Sequence, residues 1–159
     1  IPESMNLFAP ISSLMTDHKH LVTVNPEESL LKIKEIFDTH NFHHIPVVHF
    51  REIVGIISKS DFEHFMGGGS VYDDDRFINE MRLHRATAKD IMTKRLGKVE
   101  SSDRLNVAVE IFTINRFHAL PVVDDGELVG IITPYDILKA LGEERAADPS
   151  LVYETIDTL

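Results

Sequence analysis

Two aspartates occupy the same place in a heptapeptide that occurs twice, as Gly55-Ile56-Ile57-Ser58-Lys59-Ser60-Asp61 and as Gly130-Ile131-Ile132-Thr133-Pro134-Tyr135-Asp136. Each copy reads as a glycine, a short apolar run, a hydroxyl, two variable residues and a carboxylate. A carboxylate offers two acceptor oxygens side by side, which suits adjacent hydroxyls on a ligand. The same spacing also has a purely structural use. Ser58-x-x-Asp61 and Thr133-x-x-Asp136 fit a capping box, with the hydroxyl at the N-cap of a helix and the acid at its third position. Pro134 suits the first helical position and strengthens that reading in the second copy. The two uses are compatible.

Other chemistry finds little support. The chain has no cysteine, so it holds no disulfide, thiolate metal site or cysteine nucleophile. Nine histidines and 26 acids invite thought of a metal. Their only close groupings, His18-x-His20 and His43-His44, are not the His-Glu-x-x-His of a zinc hydrolase. There is no phosphate-cradling P-loop and no nucleophile elbow. The run Gly67-Gly68-Gly69 is followed by acids, which repel phosphate. These patterns point away from an enzyme and from a catalytic cofactor. The net charge of −10 opposes nucleic acid, whose binding depends on Lys and Arg neutralising phosphates. It does not oppose one small anion, which needs only a local group of donors. No apolar run nears the roughly 18 residues of a membrane helix. Ile1-Pro2-Glu3-Ser4 lacks the basic stretch and hydrophobic core of a signal peptide. The expected location is cytoplasmic, away from the membrane.

The elements that position the two aspartates repeat with them. From Val24 against Val99 the two halves match at a constant shift of 75 residues: Phe37 with Phe112, Phe42 with Phe117, His43 with His118, Pro46 with Pro121, Gly55 with Gly130. Upstream, Leu14-Met15-Thr16 answers Ile91-Met92-Thr93 at a shift of 77. In the first half a helical turn is expected over 11–16, a strand over Leu21–Val24 and a helix over 29–40. A hairpin of Ile45–Val48 and Ile53–Ile57 follows, turning at Phe50-Arg51-Glu52, then a helix over 59–66. The second half repeats the order, with a helix over Arg104–Asn115 and a hairpin turn at Asp124-Asp125-Gly126. That helix is apolar over so wide an arc that burial on two sides is expected, one side against the sister repeat or a second subunit. Between the halves, Gly67–Ser70 and Asp73-Asp74-Asp75 read as a flexible acidic connection. Phe77, Met81 and Leu83 then suggest a short linking helix. Past Gly142 the repeat ends. Val152, Ile156 and Leu159 have the spacing of a short amphipathic helix. The expected organisation is a first repeat over 11–66, a linker over 67–87, a second repeat over 88–142 and a tail over 143–159. The fold class is α/β (α+β), each repeat strand–helix–strand–strand–helix. One repeat alone buries too little surface for comfortable stability, and two stacked repeats bury enough.

With Leu14-Met15-Thr16 and Ile91-Met92-Thr93 at the openings, Ile45-Pro46-Val47-Val48 and Leu120-Pro121-Val122-Val123 in the middle and the two heptapeptides at the ends, the chain resembles a tandem pair of cystathionine-β-synthase (CBS) domains, a Bateman module. The resemblance implies two β-α-β-β-α repeats related by a pseudo-twofold axis, packed through their small sheets with two clefts between them. It also implies a stand-alone pair, a homodimer of such modules and a possible protein target. Its implied ligand is an adenosine compound: AMP, ADP, ATP or S-adenosylmethionine. In the family the aspartate matching Asp61 and Asp136 holds the ribose, beside Ser58 and Thr133. Basic residues matching His43, His44, Arg116 and His118 face the phosphates. Ala119 departs from that pattern and weakens the phosphate grip of one cleft. Thr23 and Lys98 match a strand edge that touches base and ribose, largely through backbone groups. Ile45 and Leu120 are candidates for lining an adenine slot, although core is the commoner role for such residues. The alternative reading is a pair without a ligand, serving as a dimerisation or interaction platform.

Overall fold

The computed structural model describes residues 5–67, 74–115 and 117–147. Arg116, Gly68–Asp73 and the tail from 148 onward, with the amphipathic helix expected there, lie outside the described residues.

In the first half, helix α1 (Leu30–Thr39) opens at Ser29, whose hydroxyl accepts the Lys32 N–H at 3.2 Å. It turns Leu30, Ile33, Ile36 and Phe37 into the core. The antiparallel hairpin is β2 (His44–His49) and β3 (Glu52–Ser58). Helix α2 (Lys59–Phe65) follows directly. In the second half, α5 (Leu105–Asn115) leads to the hairpin of β4 (Leu120–Asp124) and β5 (Glu127–Ile132), then α6 (Pro134–Ala147). The polar stretch from Glu143 therefore continues a helix up to Ala147. Between the halves lie α3 (Asp74–Arg85) and the single turn α4 (Ala88–Ile91). Asp74 and Asp75, expected in a loose connection, instead begin α3.

The expected strand over Leu21–Val24 reduces to one parallel bridge, between Val24 and Val47. Val24 N–H donates to the Pro46 carbonyl at 3.1 Å and Val48 N–H to the Val24 carbonyl at 2.8 Å. The next rung would need an N–H from residue 46, and proline has none. Pro121 stops the equivalent ladder at Val99 and Val122 in the same way.

Each half takes its first turn from the other. A 3-10 turn over Ile11–Ser13 leads into β1 (Thr16–Asp17), which pairs not with its own hairpin but with β5, Thr16 opposite Ile131 and Asp17 opposite Gly130. Reciprocally, Thr93 exchanges hydrogen bonds of 2.8 and 3.1 Å with Ile56 of β3. The apolar residues follow suit. Ile11, Leu14 and Met15 pack into the core of Val99, Leu105, Leu120, Val122 and Ile132, whereas Ala88, Ile91 and Met92 pack into that of Leu30, Ile33, Ile45, Val47 and Ile57. A third apolar cluster, Ile53, Ile56 and Ile131 with Leu21, Leu96, Ala119, Val123 and Leu128, joins the two sheets. Burial of α5 is one-sided among the described residues: Leu105 and Ala108 are buried, but Val107 and Ile114 remain exposed, uncovered by the sister repeat.

Candidate functional site

Where β3 runs into α2 and β5 into α6, the two helix starts face one shared cavity of about 870 Å³. That is at the large end of small-molecule sites, which span about 300–1,000 Å³. The lining is nearly symmetric. Phe42, His43, Ile56, Ser58 and Asp61 come from one repeat, and Phe117, His118, Ile131, Thr133 and Asp136 from the other. Leu21 and Leu96 form a further matched pair, as do Thr16 and Thr93. Of the residues expected from sequence, His43, His44, Ser58, Asp61, His118, Thr133 and Asp136 meet in this one cavity.

Thr23 and Lys98 are exposed and do not line it. With the strand edge cut short by Pro46 and Pro121, it is Leu21, Leu96 and Gly97 that reach the cavity instead. Ile45 and Leu120 are fully buried in the two cores and present no surface to a ligand. Lys59, Tyr135 and Arg95 also line the cavity and were not singled out from the sequence. For Lys59 and Tyr135 the signal was available: both are variable residues inside the heptapeptide, on the first turn of a helix already expected to face the cleft. Arg95 is placed by the exchanged opening, and no local pattern announces it.

The two helix starts differ. In α6 the box is complete. The Thr133 hydroxyl accepts the Asp136 N–H at 3.4 Å, and Asp136 Oδ2 accepts the Thr133 N–H at 2.9 Å and its hydroxyl at 3.1 Å. In α2 only half of it forms: the Ser58 hydroxyl accepts the Asp61 N–H at 3.0 Å, while no hydrogen bond to the Asp61 carboxylate occurs among the described residues. In the first repeat Ser58 is still opposite His44 at the end of the hairpin, and the Lys59 N–H donates to the His43 carbonyl, a bond that Pro134 cannot make in the second. Thr133 lies beyond the end of β5, and its N–H turns to Asp136. Asp61 is exposed and lines the cavity. Asp136 is half-buried, and burial raises its pKa against the lowering pull of Thr133.

The three histidines converge from both repeats. Burial is the first cause holding His44 below its ordinary 6.5, followed by the charges of His43 and His118, with Asp61 pulling the other way. Ala119 stands at the position equivalent to His44, also in the lining. Among the described residues no cluster of three or more metal-binding side chains occurs, and no helix is long and apolar enough to cross a membrane.

The comparisons with known proteins agree with this geometry. An uncharacterised protein of Methanocaldococcus jannaschii is 29% identical over 133 residues, covering 80% of this chain. The chain spans 48% of that relative's length. Among solved structures, CBSX2 of Arabidopsis thaliana in complex with AMP superposes with a TM-score of 0.69 at 25% identity, over 85% of this chain and 97% of that one. The CBS domain pair of protein MJ0100, in complex with 5-methylthioadenosine and S-adenosyl-L-methionine, shares the fold with a TM-score of 0.68 at 22% identity, over 86% and 98% of the two chains. The family model described as CBS domain matches twice, over residues 11–68 and 88–143, so the repeat, the paired sheets and the shared cleft have one explanation: the chain belongs to the CBS domain family, as a tandem pair.

Proposed function

We propose that the chain is a regulatory sensor module, with no catalytic role of its own, that binds an adenosine-containing ligand between its two repeats. AMP, ADP, ATP and S-adenosylmethionine are the compounds to consider. One observation carries the reading: equivalent residues of both repeats, including both aspartates, line a single cavity large enough for a nucleotide. In this reading Asp61 and Asp136 accept hydrogen bonds from ribose hydroxyls. His43, His44 and His118 face the phosphates. Leu21, Leu96, Ile56 and Ile131 supply apolar surface for the base. A relative with the same fold is named for its complex with AMP, which supports the ligand class. Binding acts by stabilising one arrangement of the repeats over another, and it shifts their equilibrium by no more than the difference in affinity for the two. Titration calorimetry with AMP, ADP, ATP and S-adenosylmethionine tests the proposal. Saturable binding by at least one of them is expected. Folded protein that binds none of them overturns it.

A second reading, an interaction platform, is favoured by one feature. Val107 and Ile114 on α5, and Tyr135, Leu138 and Leu141 on α6, are exposed apolar residues of the second repeat. They offer a face for a homodimer or for a protein target. Sedimentation of the protein with and without Leu138→Asp checks it: a dimer that survives the substitution counts against this face.

A further inference from the structure

The outer faces of the two repeats differ at equivalent positions. On α5, Val107, Ile111 and Ile114 stand four and three residues apart, and Ile114 is 68% exposed. The counterparts of Val107 and Ile114 in the first repeat, at the constant shift of 75, are the exposed polar residues Lys32 and Thr39. On α6, Tyr135 and Leu138 are both exposed, Leu138 by 65%, where the first repeat has Ser60 and Glu63. Leu141 extends this stripe, and beside it Gly142 has open space where a side chain would stand. Another helix can therefore come close there. Solvent alone does not account for the contrast, because the first repeat meets solvent at the same positions with polar side chains.

We propose that the C-terminal segment 148–159 covers this face, folding back as a short helix onto α5 and α6 of its own chain. Its residues fit the seat. Helix α6 is described up to Ala147, and the residue before a proline is pushed out of helical geometry, so Pro149 turns the chain off the α6 axis. Asp148-Pro149-Ser150 then makes a connection of the usual length between antiparallel helices, about two to five residues. Ser150 is a good cap for a helix that starts at Leu151. Val152, Ile156 and Leu159 stand four and three apart, the spacing of Val107, Ile111 and Ile114, and each stripe spans about 10 Å along a helix. Run antiparallel to α6, the segment brings Val152 toward Leu141, Ile156 toward Leu138 and Leu159 toward Tyr135. Glu154 and Asp157 then fall on its solvent side. The linking helix offers a precedent. The shift of 75 carries the start of α3 at Asp74 to Pro149, and its apolar positions Phe77 and Met81 to Val152 and Ile156. Helix α3 packs against α1, and its Arg82 donates to the Phe65 carbonyl of α2 at 3.0 Å. A helix this short is not stable alone in water, and an apolar seat supplies what it lacks. The tether favours the chain's own segment over a second copy, since a short linker holds it at an effective concentration in the millimolar range. The inference stands apart from the sensor reading and names what covers the face on which the platform reading relies. With the segment seated, a partner reaches α5 and α6 only by displacing it. Tyr135 belongs both to the seat and to the cavity lining, so the segment ends beside the cleft.

The chain has no cysteine, so introduced pairs report proximity without background. Leu138→Cys is combined in turn with Val152→Cys, Ile156→Cys and Leu159→Cys in the full chain, and each variant is oxidised in dilute solution after thermal unfolding has shown it to be folded. In the control set Glu63→Cys, at the equivalent position of the first repeat, replaces Leu138→Cys. The expected result is a disulfide within one chain for at least one of the three pairs, formed about tenfold or more faster than in any control. Limited chymotrypsin digestion gives a second reading. Cleavage after Tyr153 should be about fivefold or more faster in Leu138→Asp than in the parent, because it follows the population of the released segment. Disulfides formed equally fast with Glu63→Cys, or equal cleavage of parent and Leu138→Asp, overturn the inference. Disulfides formed mainly between chains overturn it as well and assign the face to a second copy. None of these outcomes bears on the adenosine site.

Discussion

Met92 lies against Gly55 across the boundary between the repeats, so closely that a Cβ built on Gly55 would fall 2.5 Å from the methionine sulfur and 2.9 Å from its Cβ. Met15 lies against Gly130 in the same way, at 2.7 Å from sulfur, and there the Thr16 carbonyl oxygen is also only 2.8 Å away. Neither glycine has a positive φ. Both are required by what packs on them, not by backbone freedom. The glycine that opens each heptapeptide and the methionine that opens each repeat are thus two parts of one cross-repeat contact.

Overpacking at such a point costs about 1–3 kcal/mol. Gly55→Ala is expected to lower the unfolding free energy, measured by urea titration, by that much, and Met92→Ala in the same chain to recover part of it by removing the sulfur and Cγ. Gly130→Ala should be the worse of the two and should resist rescue by Met15→Ala, because the Thr16 carbonyl remains. A double-mutant cycle at each site measures the difference. Equal rescue at both would sink the argument.

The two aspartates should separate by stability. Asp136 completes a cap, so Asp136→Ala is expected to destabilise the fold by about 1 kcal/mol, within the usual range for lost caps. Asp61 accepts nothing from its own helix start, so Asp61→Ala should leave the unfolding midpoint near that of the parent while weakening nucleotide binding. The check is chemical unfolding and calorimetry on the same preparations. A cost to stability at Asp61 equal to that at Asp136 would contradict the half-formed cap.

The hairpin turns make a third contrast. Asp125 and Gly126 have φ of 50° and 80°, and their types suit the turn. At the twin turn Phe50 and Arg51 have φ of 48° and 68°, and Phe50 is 90% exposed. Residues without that tolerance cost on the order of 1 kcal/mol or more each there. Phe50→Asn with Arg51→Gly is therefore expected to raise the thermal midpoint, with a gain of about 1 kcal/mol or more. The exposed ion pair Arg51–Glu127, at 3.6 Å, offsets little of it. A fall in the midpoint would show that the strained turn has compensating contacts.

Acid sensitivity has an assignable part. Asp124 accepts the Ser101 N–H at 3.0 Å and the Ser101 hydroxyl at 2.5 Å, and these bonds hold its carboxyl below the ordinary 3.8. A depressed folded pKa contributes stability that is fully present above 3.8 and is lost as pH falls through the folded value. Asp124→Asn should be less stable than the parent at pH 7 by about 1 kcal/mol, and the gap should close below that pKa. Unfolding followed from pH 7 down through the acid range, until Asp124 is protonated in the folded protein, reads it directly. A gap that persists at low pH would place the effect in packing instead.

The helices, both hairpins and their turns were legible in the sequence because they rest on local rules: apolar spacing in Leu30–Phe37, a hydroxyl cap at Ser29, Asp125-Gly126 at a turn. The resemblance implied two clefts, whereas Asp61 and Asp136 line one cavity together. What escaped depends on pairing between distant segments. The strand expected at Leu21–Val24 has the right residues, but the missing N–H of Pro46 ends the ladder. The exchange of the openings leaves no local trace, because Met15-Thr16 and Met92-Thr93 read the same whichever repeat they join. Arg95 reaches the cavity only through that exchange.

That exchange also restricts how the molecule can move. Pulling the repeats straight apart would break the pairing of Thr16 with Ile131 and of Thr93 with Ile56 together, and draw two methionines out of their seats at once. The two halves are clasped like interlocked hands, so they part only if both clasps open at once.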